Sequence, residues 1–282
     1  MEVIQRIARM KEVVSDLKEE KKLIGFVPTM GCLHEGHLSL VREARRMSDI
    51  VVVSIFVNPK QFGPNEDYDR YPRNIAKDTE LLQKENVDYV FHPSVEEMYP
   101  AGYRTYVVVE DLSEKLCGKS RPNHFRGVAT VVMKLFNIVQ PNFAFFGQKD
   151  AQQVVIIKRM LKDLNSNIEI ITLPIIREPD GLALSSRNNY LNSEERKAAT
   201  VLYKSLMKAK ELIQSGEHKS AKISKAIIDM ITQEPLAKID YVEIVDLENL
   251  EPVKTVGKNT LIAIAVYIGT TRLIDNIIAE VR

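Results

Sequence analysis

Apolar positions along the first 175 residues switch repeatedly between two periods. Ile4, Ile7, Val14 and Leu17 fall on one face of an opening helix. Leu23 to Val27 is a short apolar run closed by Pro28, the pattern of a buried strand. His37, Leu40, Val41, Ala44 and Met47 then recur at three- and four-residue spacing, which predicts an amphipathic helix. Ile50 to Val57 is continuous and β-branched, a central strand that Asn58-Pro59 stops. Leu81 and Leu82 mark a charged helix, and Val87 to Phe91 the next strand. A helix over Val128 to Val139, a strand over Phe143 to Phe146, a helix over Val154 to Leu161 and a strand over Ile168 to Leu173 complete the series. Strands alternating with helices predict an α/β fold, with a doubly wound parallel sheet and helices on both faces.

The pattern changes after Pro174. Glu178-Pro179-Asp180-Gly181 is a turn by its chemistry. Two helices follow, over Ser193 to Ser215 and Ser220 to Thr232, the first opened by Asn192-Ser193-Glu194-Glu195. Asp240 to Val245, Thr260 to Val266 and Leu273 to Ile278 read as strands separated by Pro252, Gly257 and Gly269. Helices followed by closely spaced strands predict a second, smaller α+β domain. The expected division is 1–175 and 176–282.

Composition narrows the partners. The chain has 282 residues and a net charge of +1, from 39 Lys+Arg against 38 Asp+Glu. That balance argues against nucleic-acid or membrane binding by bulk positive charge, while leaving room for a local basic pocket. Cys32 and Cys117 are too few for a disulfide framework and fit a reducing compartment. No signal peptide is expected from the opening residues, and the longest apolar stretches, eight residues, are too short to span a bilayer. The expectation is a cytoplasmic protein.

Four polar, glycine-bearing segments sit where strands end, the side of an open α/β sheet that binds ligands. The first is Met30-Gly31-Cys32-Leu33-His34-Glu35-Gly36-His37, between the first central strand and its helix. Its glycines allow close backbone approach, and the helix start offers unpaired N–H groups to phosphate. His34 and His37 can face one anion; as zinc ligands they lack the helical H-E-x-x-H frame. The blander reading, one histidine capping the helix and the other on the surface, is outweighed by this placement. The second segment holds Asn58 and Gln61, neutral amides suited to hydroxyls and carboxylates. The third is Gly147-Gln148-Lys149-Asp150, with Gln153 one turn on; Lys149 can meet phosphate as a point charge. The fourth, Leu184-Ser185-Ser186-Arg187, supplies two hydroxyls and a fixed cation for a polyphosphate.

The chain lacks G-x-x-x-x-G-K-[ST], G-x-G-x-x-G and G-x-S-x-G, so neither a P-loop, a dinucleotide site nor a hydrolase elbow is indicated. What remains is nucleotide chemistry without a covalent nucleophile, with histidines, Lys and Arg stabilising charge.

Pro28-Thr29-Met30-Gly31 with His34-Glu35-Gly36-His37 resembles the HIGH-type signature of nucleotidyltransferases. Together with Phe56-Val57-Asn58-Pro59-x-Gln61-Phe62, Tyr71-Pro72-Arg73, Gly147-Gln148-Lys149-Asp150-x-Gln152-Gln153 and Leu184-Ser185-Ser186-Arg187-Asn188, the chain is similar to the pantoate–β-alanine ligase family over nearly its whole length. The resemblance implies a Rossmann-like first domain and a small domain that closes over the ATP site. It implies ATP- and Mg²⁺-dependent joining of (R)-pantoate to β-alanine through pantoyl adenylate, releasing pyrophosphate and AMP. A different small-molecule adenylyl- or cytidylyltransferase is the alternative. By motif, Met30, Gly31, Cys32, Leu33, His34, Glu35, Gly36, His37, Gly147, Gln148, Lys149, Asp150, Ile176, Leu184, Ser185, Ser186 and Arg187 are carried over to ATP. His37, as proton donor, joins His34, Lys149 and Arg187 as the catalytic set. Gln61, Gln153 and Asn58 are carried over to pantoate and β-alanine, and Asp78 to Mg²⁺. A homodimer is also implied. Lys60 stands where an apolar residue is frequent, and Leu184 where Met is common.

Overall fold

The computed structural model describes residues 1–64 and 66–280. The chain divides into two compact units. The first comprises Met1–Ser113, Arg121–Gly147 and Ile156–Pro174; the second comprises Glu114–Ser120, Gln148–Val155 and Ile175–Arg282. The main division falls after Pro174, and two short earlier segments group with the later part of the chain.

The elements run β1 (Glu2–Ile4), α1 (Ile7–Glu19), β2 (Ile24–Thr29), α2 (Glu35–Met47), β3 (Ile50–Ile55), α3 (Ile75–Lys84), β4 (Tyr89–Phe91) and α4 (Val95–Met98). Then come α5 (Cys117–Ser120), α6 (His124–Val139), β5 (Phe143–Gly147), α7 (Ala151–Asp163) and β6 (Glu169–Leu173). The remainder is α8 (Ser193–Ala198), α9 (Thr200–Gln214), α10 (Ser220–Ile231), β7 (Ala237–Asp246), β8 (Thr260–Ile268) and β9 (Thr271–Ile278).

In the first unit six strands form a parallel sheet in the order β1-β4-β3-β2-β5-β6. The winding reverses at β2, whose neighbours are β3 on one side and β5 on the other. A ligand crevice is expected outside the carboxyl ends of those two strands. Val27, Val51, Val53 and Phe145 meet Leu38, Val41 and Leu82 in one buried cluster. Each such side chain contributes roughly 1.5–3 kcal/mol on leaving water. This burial holds α2, and with it the β2–α2 loop, over the sheet.

Two sequence expectations change here. Ile4 is not part of the opening helix; it ends β1, which pairs with β4. A three-residue strand is too short to show its own period, so its apolar end joins the helical spacing that follows. Pro28 does not end β2 but pairs with Ser54 inside the β2–β3 ladder. Pairing with β5 stops at Phe26, so the missing Pro28 N–H falls beyond that ladder.

In the second unit β7, β8 and β9 form an antiparallel sheet, with an irregularity between Ile239 and Tyr241. Leu202, Leu206, Ile223 and Ile227 from α9 and α10 bury against Ile262, Ile264 and Val266. The helix expected over Ser193 to Ser215 breaks at Ala199 into α8 and α9. Among the described residues no helix is long and apolar enough to cross a membrane.

Candidate functional site

The β2–α2 loop lies at the winding reversal, and its shape is dictated by one buried carboxylate. Asp78, in the first turn of α3, is 2% exposed. Its Oδ2 accepts from Cys32 N at 2.9 Å and its Oδ1 from Leu33 N at 2.8 Å. The loop reaches these bonds by left-handed backbone at Gly31 (φ 79°) and Cys32 (φ 52°). A Cβ on Gly31 would stand 2.9 Å from Asp78 Oδ2, so glycine is required there. Asp78, which the resemblance carries over to Mg²⁺, is here the acceptor for the loop's amides, as a buried carboxylate must be hydrogen-bonded. Among the described residues no group of three or more His, Cys, Asp or Glu side chains could hold a metal ion.

His34 is the N-cap of α2. Its Nδ1 accepts from Gly36 N at 3.1 Å, and His37 Nδ1 accepts from His34 N at 3.3 Å, a reciprocal capping box. The ring centroids are 4.1 Å apart. With Nδ1 accepting in both rings, the neutral tautomer of each carries its proton on Nε2. The structure thus gives both histidines a capping role, where the sequence allowed one cap and one surface residue. Both rings carry a donor nitrogen at a helix start, a chemistry suited to phosphate oxygens. The side chain of Glu35 is exposed and pairs with Arg42.

Asn58 and Gln61 follow β3. Asn58 caps a short 3-10 turn over Pro59–Gln61 and is 1% exposed. Its Oδ1 accepts from Lys60 N at 3.2 Å and from the Tyr99 hydroxyl at 2.8 Å. Its Nδ2 donates to Gln61 Oε1 at 3.0 Å and to Gly127 O at 3.1 Å. An asparagine amide has two acceptor and two donor positions, and all four are taken. Asn58 is therefore corrected from substrate contact to buried support. Gln61 Nε2 donates to Met30 Sδ at 3.1 Å, tying the amide to the β2–α2 loop. The backbone carbonyl of Gln61 accepts from His124 Nδ1 at 2.8 Å. Helix α6 comes close enough that a Cβ on Gly127 would stand 2.2 Å from Lys60 O.

Arg121 completes the surroundings of Gln61. Its Nη2 donates to the Gln61 carbonyl at 3.4 Å, and the same guanidinium pairs with Glu66. Burial alone would raise the Glu66 carboxyl, but the bond and charge of Arg121 hold it below the ordinary carboxylate range.

The second unit carries the charged segments. Gln148–Asp150 forms a 3-10 turn that leads into α7. Asn276 clamps this turn, donating from Nδ2 to Gln148 O and Lys149 O, each at 3.0 Å. Next to it, Asp275 is 2% exposed and takes a two-pronged bond from Arg177, at 2.6 and 2.9 Å. Burial pushes the Asp275 carboxyl up, against the pull of Arg177. Lys149 Nζ lies 3.5 Å from Asp150 Oδ1. Gln152 is buried and bonds Cys117 N and Lys115 O, and Gln153 beside it is half-buried.

Ser185 caps a second 3-10 turn, accepting from Arg187 N at 3.3 Å, and Ser186 is buried within that turn. Leu184 N donates to Ile176 O at 3.0 Å, so these two expected ATP residues are neighbours. Between them the chain turns at Gly181 (φ 93°), where a Cβ would stand 1.9 Å from the Tyr203 ring.

The structure thus joins Met30, His34, His37, Asn58 and Gln61 in the first unit. It joins Gln148 and Lys149 through Asn276, and Ile176 with Leu184, in the second. Tyr99, Arg177, Asp275 and Asn276 were not expected from the sequence. Adjacent polar residues Asp275-Asn276 within the otherwise apolar run Leu273 to Ile278 were the one visible signal among them.

Comparison with known proteins agrees with the motif order. A sequence model described as pantoate-beta-alanine ligase matches residues 2–278. A pantothenate synthetase of Thermosipho africanus is 62% identical over 278 residues, 99% of this chain and 100% of its own. One from Caldicellulosiruptor saccharolyticus is 59% identical over 281 residues, with both chains fully covered. The crystal structure of pantothenate synthetase from Thermus thermophilus superimposes with a TM-score of 0.94 at 45% identity, covering 98% of this chain and 99% of that one. A Francisella tularensis pantoate-beta-alanine ligase, solved with a β,γ-ATP ligand and β-alanine, gives 0.82 at 37% identity, covering 99% and 97%. Match, identity and superposition all run the length of the chain, which belongs to the pantoate–β-alanine ligase family.

Proposed function

We propose the following roles for this chain's residues in its family's reaction. The chain is an enzyme, a pantoate–β-alanine ligase with ATP as co-substrate. A carboxylate oxygen of pantoate attacks the α-phosphorus of ATP, the bond to the β-phosphate oxygen breaks, and pyrophosphate leaves. The deprotonated amine of β-alanine then attacks the acyl carbon of pantoyl adenylate, the bond to the phosphate oxygen breaks, AMP leaves, and the nitrogen gives one proton to solvent as the amide forms. A carboxylate is a poor acyl donor, so adenylation supplies the leaving group. The protein's work is then positioning and charge stabilisation.

Met30 to His37 form the phosphate cradle, with Nε2–H of His34 and His37 donating to phosphate oxygens as charge develops. Lys149, Arg187, Ser185 and Ser186 add cationic and hydroxyl contacts to the polyphosphate. Gln61 and Gln153 hold pantoate. A neutral amide binds a carboxylate without drawing down its nucleophilicity as a lysine would. The observation that supports this reading is the contact of the neutral Gln61 amide with Met30, at 3.1 Å, in the loop that opens a helix. Mg²⁺ is commonly held by one or two carboxylates with substrate phosphates. The resemblance carries Asp78 over to that role, with the substrate phosphates supplying the other oxygens. The same reading includes a homodimer and a cytoplasmic location; light scattering on the purified chain tests the dimer.

The ordered half-reactions test the proposal. Exchange of labelled pyrophosphate into ATP should require pantoate and not β-alanine, while AMP release should require β-alanine. Exchange without pantoate would overturn it. His37→Ala should slow adenylation by about 10²-fold or more. A loss below about threefold removes His37 from the mechanism.

A further inference from the structure

We propose that Tyr99 and Asn58 are positioning residues that set the polarity of the Gln61 amide, so that Gln61 meets pantoate with N–H and not with its oxygen. The inference rests on the reading of Gln61 as a pantoate-holding residue and goes beyond it. An amide side chain is nearly symmetrical in shape, and its two ends differ only in what they can bond. A glutamine that meets an anion must therefore be told which end to present.

The instruction comes from backbone groups of fixed polarity. Lys60 N can only donate, and it donates to Asn58 Oδ1. Gly127 O can only accept, and it accepts from Asn58 Nδ2. Turning the Asn58 amide over would face donor with donor and acceptor with acceptor, at a site 1% exposed where no bulk water can repair the mismatch. With Asn58 fixed, its second Nδ2 hydrogen goes to Gln61 Oε1. That bond occupies the Gln61 oxygen and leaves Nε2, already in contact with Met30 Sδ, as the donor end.

Tyr99 is the third hold on Asn58. Its hydroxyl faces Oδ1 at 2.8 Å, and since Oδ1 can only accept, the hydroxyl donates. Its ring is locked by Phe56 and Tyr103, with centroids 6.2 and 5.0 Å away. Lys60 and Lys134 stand 5.8 and 5.6 Å from its face. Burial pushes its phenol well above the usual range, with Tyr103 and Tyr106 adding to the effect. The hydroxyl is therefore a donor at every working pH. The chain Tyr99–Asn58–Gln61 carries no formal charge, so it orients the substrate-holding amide without adding a cation near the nucleophile.

Steady-state kinetics on the full chain test this with Tyr99→Phe, Gln61→Ala, the double variant and Asn58→Asp. Tyr99→Phe keeps the ring and should raise the pantoate KM about fivefold, with kcat and the ATP KM within about twofold. In the Gln61→Ala background the same substitution should add nothing, because the amide it orients is gone. Asn58→Asp puts a second acceptor against Gln61 Oε1 and should raise the pantoate KM more than Tyr99→Phe does. A full fivefold effect of Tyr99→Phe on top of Gln61→Ala overturns the relay, as does an unchanged pantoate KM in either Tyr99→Phe or Asn58→Asp. If Gln61→Ala itself leaves the pantoate KM unchanged, the reading of Gln61 falls instead. Should Tyr99→Phe fold poorly, by its thermal midpoint, Asn58→Asp decides alone.

Discussion

Two turns that carry candidate residues, one in each unit, have different supports. In the first, Tyr99, Asn58, Gln61 and Gly127 are linked by hydrogen bonds between neutral groups. In the second, Arg177 and Asp275 form a buried ion pair beside Asn276, which clamps the turn carrying Lys149. A neutral chain can fix which end of an amide faces a ligand while leaving the local potential unchanged. A charged chain fixes the backbone strongly and also alters the field around it.

The contrast predicts unequal costs of damage. Asp275→Ala leaves the Arg177 guanidinium, 20% exposed, without its buried partner. Breaking such a pair from one side costs about 3 kcal/mol or more. Chemical denaturation should show that loss, with Asp275→Asn losing less because it keeps one acceptor for the fork. A loss below about 1 kcal/mol for the alanine variant would mean that the ion pair holds nothing together. Asn276→Ala comes next. It removes two donors from the carbonyls of Gln148 and Lys149, at about 1 kcal/mol each. The turn should loosen, raising the ATP KM by about tenfold while the pantoate KM stays within about twofold. A parallel rise in both constants would show that the two units do not separate these tasks.

Sequence reasoning located these segments better than the contacts that support them. Glycine, proline and polar residues at strand ends made the β2–α2 loop and the Asn58–Gln61 turn legible, because a parallel sheet leaves its ligand side at those ends. The motif order then identified the family. Burial was not legible. Asn58 and Asp78 carry polar side chains that suggest ligand contact, yet both are at most 2% exposed and serve the backbone around them. Tyr99 lies 41 positions from Asn58 in a segment without clear periodicity, so no local spacing could pair them. Asp275 and Asn276 were counted within a strand, where an i, i+1 polar pair on opposite faces tells nothing of its partners. Long-range hydrogen bonds of this kind are settled by packing.

The smallest expected effect concerns pH and Glu66. Arg121 joins Glu66 to the carbonyl of Gln61, so the charge on Glu66 bears on the neutral chain from outside. The Glu66 carboxyl lies below its ordinary value of 4.5 in the folded protein. A depressed carboxylate contributes stability that is fully present above the unfolded value and is lost as pH falls through the folded one. Denaturation midpoints measured down through the acidic range should therefore fall more steeply for the unaltered chain than for Glu66→Gln, which has no such proton to bind. Near neutral pH the same substitution should raise the pantoate KM less than Tyr99→Phe does, because His124 still holds the Gln61 carbonyl at 2.8 Å. An effect of Glu66→Gln larger than that of Tyr99→Phe would place control of Gln61 in the ion pair and break the contrast between a neutral and a charged support.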